Sequence, residues 1–171
     1  YQLKITPEIF YLDVQSGVKL VRYIEGAETL NNATIQYMNH IEKVIMVLRT
    51  LHTSGVRFNN DFNVFKEIEI YEELLGRVKG WMYEGYSELR PSIFALADRL
   101  NQLGVTLTPC HNDLVAENFV KGLDGKIHLI DWEYSGMNDP LWDLAALFIE
   151  SSFSEENLQR ALLLYYDNNI P

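Results

Sequence analysis

The sequence predicts an α+β fold: a β-hairpin, a run of helices, a second hairpin, then two more helices. Three observations lead there. Apolar-rich runs flank a Ser16-Gly17 turn near the start, as in a hairpin. Apolar residues recur at helical spacing from Ile35 to Leu51 and from Phe65 to Leu75. In mid-sequence, Phe119-Val120-Lys121 and Lys126 to Ile130 flank an Asp124-Gly125 turn, giving the second hairpin.

Taken in order, Ile9 to Val14 and Val18 to Ile24 form the first hairpin, and Glu25 to Thr29 reads as a linker. Asn31 or Asn32 can cap a long helix whose stripe is Ile35, Met38, Ile41, Ile45, Leu48 and Leu51, closed by Gly55. His52 at its end reads as a packed or capping histidine. Asp61 begins a second helix through Phe65, Ile68, Tyr71 and Leu75, with Glu67, Glu69, Glu72 and Glu73 on a solvated face. Gly80 to Gly85 has the glycine spacing of a Walker phosphate loop, but Tyr86-Ser87 stand where Lys-Ser/Thr must follow, so the stretch reads as an inter-helix loop. A third helix runs from about Pro91 to Leu103, with Gly104 past its end. Val105 to Thr108 is a short strand. The alternation of the second hairpin turns Val120 and Ile130 to one face. Trp132 to Pro140 reads as a loop, Leu141 to Glu150 as a helix, and Ser154 caps a last helix through Tyr166.

The 171 residues, 47% hydrophobic and 22% charged, are those of a globular chain. A net charge of −10 argues against a nucleic-acid backbone as partner and suits a cationic one. The single cysteine, Cys110, permits no internal disulfide, so a reducing compartment is the default. It reads as a small buried residue. No apolar run approaches transmembrane length, and no basic region followed by an apolar one opens the chain. The expectation is a cytoplasmic protein with no membrane insertion and no nucleic acid.

The chemistry concentrates in Cys110-His111-Asn112-Asp113-Leu114-Val115-Ala116-Glu117-Asn118, followed by Leu129-Ile130-Asp131-Trp132. Each residue alone is ordinary: a lone Asp or Asn in a loop caps a turn. Their joint spacing, with Asp131 at the end of an apolar strand, matches a loop carrying a base and a metal ligand and a strand ending in a second ligand. Asp113 would take or orient a hydroxyl proton. Asn118 and Asp131 offer the oxygen ligands that Mg²⁺ prefers.

With Ile130-Asp131-Trp132-Glu133-Tyr134 and Asp139-Pro140-Leu141-Trp142-Asp143-Leu144-Ala145, the motif resembles the choline/ethanolamine kinase family, bacterial choline kinase type, within the aminoglycoside phosphotransferase superfamily. The resemblance is sharp over Pro109 to Glu150. It implies a protein-kinase-like fold, mainly the helical C-terminal lobe with a hairpin remnant of the N-terminal lobe: residues 1–25 end that lobe and form the hinge, and 26–171 are the catalytic lobe. It implies ATP and Mg²⁺ as co-substrate and cofactor, and phosphorylation of choline. Asp113 becomes the base, His111 the support of the loop, Asn118 and Asp131 the Mg²⁺ ligands. Tyr23 and Ile24 would meet the adenine, with Val120 and Ile130 as its apolar floor. Tyr134 and Glu150 would line the choline pocket, with Trp142 a weaker candidate there, because a quaternary ammonium is held by aromatic faces and negative charge. Asp143 would anchor the loop by hydrogen bonds. The family's glycine-rich phosphate loop and strand lysine have no counterpart here, so the sequence reads as part of a longer kinase, truncated at both ends and inactive alone. Ethanolamine, an aminoglycoside or another small alcohol is the alternative substrate; a catalytically inactive cation-binding module is the alternative from another class.

Overall fold

The structure, a computed structural model, describes residues 3–170. The outer bounds of the two predicted segments, 1 and 171, lie outside it. Strands β1 (Ile9–Asp13) and β2 (Val18–Val21) pair antiparallel as predicted, closed by Gly17 at φ 72°. A short β3 (Glu28–Thr29) follows, then helices α1 (Met38–His52), α2 (Val64–Arg77) and α3 (Tyr86–Leu103). Next come β4 (Thr108–Cys110), β5 (Phe119–Lys121), β6 (Ile127–Leu129) and β7 (Gly136–Asn138). Helices α4 (Pro140–Glu150) and α5 (Glu155–Tyr165) close the chain.

The core is built around α1. Its stripe Ile41, Val44, Ile45, Leu48 and Leu51 is buried, and packs with Phe119 and Leu129 of the second hairpin and Leu144 and Leu147 of α4. The hairpin β5–β6 pairs Phe119 with Leu129 and Val120 with His128, so Phe119, Ile127 and Leu129 face this core. By the same alternation Val120, His128 and Ile130 share the opposite face, as expected.

Five boundaries differ from the sequence reading. The linker at Glu25 to Thr29 ends in β3, which pairs with the open edge of β5; Glu28 opposes Lys121 and pairs with it at 2.5 Å. Neither Asn31 nor Asn32 caps α1. The Asn31 side chain closes a turn by accepting from the Ala33 and Thr34 amides, and Asn32 and Gln36 cap a different helix end, donating to the carbonyls of Glu150, Ser151 and Ser152 that α4 leaves free. Helix α2 is capped by Asn63, not Asp61, because residues 60–62 run alongside β7: Phe62 N–H bonds to the Met137 carbonyl, and Met137 N–H to the Asn60 carbonyl, both at 2.9 Å. Gly136 permits this approach, since a Cβ there would lie 2.9 Å from Asn60 Nδ2 and 3.1 Å from Phe62 N. The predicted loop Trp132 to Pro140 therefore contains a strand, and its antiparallel partner β4 is shifted to Thr108–Cys110. Helix α3 starts at Tyr86 and carries Pro91 in its interior. Ser154 caps α5 as read, and α4 is capped by Asp139 with Pro140 in its first turn.

Neither α2 nor α3 buries a residue fully. They are clamped by Glu72, which accepts Arg90 (Nη2 at 2.8 Å) and the Tyr86 hydroxyl at 2.8 Å. The Arg90 bond first, then Tyr86, hold the Glu72 carboxyl down from 4.5 to about 2. A depressed carboxyl contributes stability above its unfolded value, and that stability drains as pH falls through the folded one. The α2–α3 pair should therefore lose stability between pH 4.5 and about 2. Glu72→Gln should remove this part of the acid sensitivity, read from helix unfolding against pH in the two proteins.

Candidate active site

Strand β4 delivers the chain into the loop 111–115, and a single 3₁₀ turn, Ala116–Asn118, leads it into β5. The loop is held by one carboxylate. Asp143, in the first turn of α4 and fully buried, accepts the backbone N–H of His111 at 2.8 Å and of Asn112 at 2.7 Å, and a third bond from His52 Nε2 at 3.1 Å. Hydrogen bonds to an ionised group contribute about 1.5–3 kcal/mol each, so three of them offset much of the cost of burying the charge.

The loop folds back on itself around Asp113. Asn118 Nδ2 donates to the Asp113 carbonyl at 2.8 Å and to its carboxylate Oδ2 at 3.3 Å. That leaves the amide oxygen of Asn118 free as an acceptor among the described residues. The loop is tied to the end of β6 twice: Ile130 N–H bonds to the Asn118 carbonyl at 3.0 Å, and His111 Nε2 donates to the Ile130 carbonyl at 2.8 Å. The Trp132 ring stands edge-on to His111, 5.0 Å between centroids. Asp131 follows directly, exposed and at φ 62°; Asn112 sits at φ 69°. Both are in the left-handed region that Asn and Asp tolerate better than most side chains. Asn112 is fixed there through its amide, which donates to the Tyr134 carbonyl and accepts from Asn138, each at 2.9 Å.

Tyr134, 40% exposed, meets the hydroxyl of Tyr71 from α2. That contact first, then the charges of Glu133 and Asp113, holds its phenol above the ordinary range. Trp142 packs on Phe62, 5.8 Å between ring centroids, with its N–H 3.4 Å from the Asn112 carbonyl. It braces the backbone just before Asp113. Glu150 stands exposed at the C-terminal end of α4, seven residues beyond Asp143 and about 10 Å along the helix.

Tyr23 and Ile24 line a cleft of about 630 Å³ with Glu25, Leu123 and His128. Val120 and Ile130 lie on the His128 face of the hairpin but do not line that cleft, and neither does any residue of the 111–118 loop.

Three groups gather closely enough to suggest a metal: His52, Cys110 and Asp143, all buried. Their chemistry is already committed. His52 and Asp143 bond to each other, and burial pushes the Cys110 thiol up to about 12, which argues against a nucleophilic role. The donors whose chemistry fits Mg²⁺ are oxygens, the Asn118 amide oxygen and the Asp131 carboxylate.

Sequence reasoning missed Tyr71, which its helical spacing assigned to packing, and underrated His52. Asn112 and Asn138 also went unassigned; the left-handed tolerance of Asn112 was the one available hint.

A hinge-linked hairpin, a helical body and an acid-bearing loop before a strand-ending aspartate define a protein-kinase-like fold, which solved structures of such phosphotransferases share. The family model for choline/ethanolamine kinase matches residues 9–165, and the chain belongs to that family. Protein LicA of Haemophilus influenzae strain Rd is 39% identical over 158 residues, covering 91% of this chain and 58% of that protein. The crystal structure of choline kinase LicA from Streptococcus pneumoniae superposes with a TM-score of 0.89 at 39% identity, covering 99% of this chain and 59% of that one. A crystal structure of LicA in complex with AMP gives 0.86 at 40% identity, covering 96% and 56%. The chain thus spans under three fifths of the length of each relative. No helix among the described residues is long and apolar enough to cross a membrane.

Proposed function

We propose that the protein carrying this chain transfers the γ-phosphoryl group of ATP to the hydroxyl of choline. The observation that carries the reading is the joining of Asp113 and Asn118 within one loop, pinned by Asp143 and tied to the strand that ends in Asp131. Membership of the choline/ethanolamine kinase family, the choline kinase from S. pneumoniae and the AMP complex of LicA support it.

Asp113 accepts the alcohol's proton as its oxygen bonds to the γ-phosphorus and the bond to the ADP oxygen breaks, leaving phosphocholine, ADP and a proton on the carboxylate. Because the transition state is loose, positioning and charge stabilisation carry most of the effect. Asn118 and Asp131 are the residues that would hold Mg²⁺, which when bound supplies positive charge against the phosphates. Tyr134 and Tyr71 offer aromatic faces, and Asp113, Glu133 and Glu150 negative charge, to a quaternary ammonium; each cation–π contact contributes about 0.5–2 kcal/mol. Tyr23 and Ile24 would receive the adenine at the hinge, with Val120 and Ile130 beneath it.

The test is a panel of choline, ethanolamine and kanamycin with ATP and Mg²⁺, following ADP release. Choline should be the preferred acceptor, and Tyr134→Ala should raise its KM about tenfold or more. Phosphorylation of kanamycin without choline would overturn the substrate. Binding of choline with no nucleotide binding and no turnover would make the chain a cation-binding module.

A further inference from the structure

The carboxylate that pins the loop is itself held from behind. His52, in the last turn of α1, meets Asp143 through Nε2 at 3.1 Å and the hydroxyl of Tyr165, in the last turn of α5, through Nδ1 at 2.7 Å. The two rings stand edge-on, 5.7 Å between centroids, and the side chains of His52 and Asp143 are 1% and 0% exposed. We propose that Tyr165 and His52 are positioning residues for Asp113: the Tyr165 hydroxyl fixes the orientation of the His52 imidazole, and the Nε2 proton holds Asp143 where it pins the loop.

A carboxylate only accepts, so the proton between His52 and Asp143 is on Nε2. Tyr165 has no other acceptor among the described residues, and burial holds its phenol well above the ordinary range, so it keeps its proton and donates to Nδ1. Without that hydroxyl, Nδ1 is a buried acceptor with no donor. The imidazole then loses the contact that fixes its orientation, and Nε2–H is free to turn from Asp143. The carboxylate's two remaining bonds are those that shape the backbone before Asp113. A displacement there of about 1 Å can cost a hundredfold in rate. Neither Tyr165 nor His52 touches a reacting group.

This inference rests on the reading of Asp113 as the base, and the experiment separates the two. Tyr165→Phe, His52→Ala and His52→Gln are compared with the unaltered protein by ¹⁵N spectra of the His52 ring, by hydrogen exchange of the His111 and Asn112 amides, and by steady-state kinetics. The unaltered protein should show a neutral Nε2–H ring. Tyr165→Phe should shift and broaden the ring resonances, speed exchange of both amides about tenfold and lower kcat about tenfold with KM for ATP unchanged. His52→Ala should lower kcat about a hundredfold, and His52→Gln, which keeps a donor, should recover most of it. Unchanged ring resonances and unchanged amide exchange in Tyr165→Phe overturn the proposal, as does a lowered Tm with kcat intact. If the unaltered protein phosphorylates no alcohol, the function reading fails, and the spectra and exchange still decide the anchor.

Discussion

Replacing Asp113 with asparagine should cut turnover by about 10²–10⁴-fold, the usual contribution of a positioned general base, and leave nucleotide affinity and folding intact. The substitution is nearly isosteric. Asn118 Nδ2 can still donate to the backbone carbonyl of residue 113 and to the new amide oxygen, as it does to the carboxylate now. Asp143 holds the preceding amides by backbone bonds that the change does not touch. What disappears is the capacity to take a proton. Steady-state kinetics with choline and ATP, beside calorimetric ATP binding and a melting curve, separate these effects. A variant that turns over at the unaltered rate would remove Asp113 from the chemistry.

Asp131→Asn should have the other large effect, on metal-bound nucleotide. Outer-shell partners of a metal typically carry 10–100-fold in affinity, and a charged direct ligand carries at least that, so MgATP affinity should fall about a hundredfold or more. Asparagine is the informative replacement because residue 131 sits at φ 62°, where Asn is tolerated and alanine would add strain. The Tm should therefore hold. The diagnostic reading is the ratio of affinities for ATP with and without Mg²⁺, which should collapse toward one. An unaltered metal dependence would count against Asp131 as a ligand.

Much of this arrangement was legible in the sequence because short-range chemistry wrote it. The His111 to Asn118 spacing, the Asp124-Gly125 turn and the cap at Ser154 depend on neighbours a few residues away, and the structure keeps them. What escaped depends on partners far along the chain. Strand β7 is Gly-Met-Asn, a run with no strand propensity, and exists because β4 and residues 60–62 flank it. Strand β3 exists because β5 has a free edge. Asn31 looked like a helix cap because its side chain does close a turn, one that stops short of α1. His52 was read as packing because nothing at position 52 announces an aspartate 91 residues on.

The helices α2 and α3 bury no side chain completely, and α2 carries Tyr71, while Asp113 stands in a loop pinned by the fully buried Asp143. On the proposed function, one wall of the alcohol's seat is thus compliant and the other rigid. Residues on the compliant wall can be exchanged in the course of evolution without disturbing the acid across from it. Diversification of the accepted guest is expected to proceed through that helical pair, leaving the phosphoryl-transfer apparatus as it was.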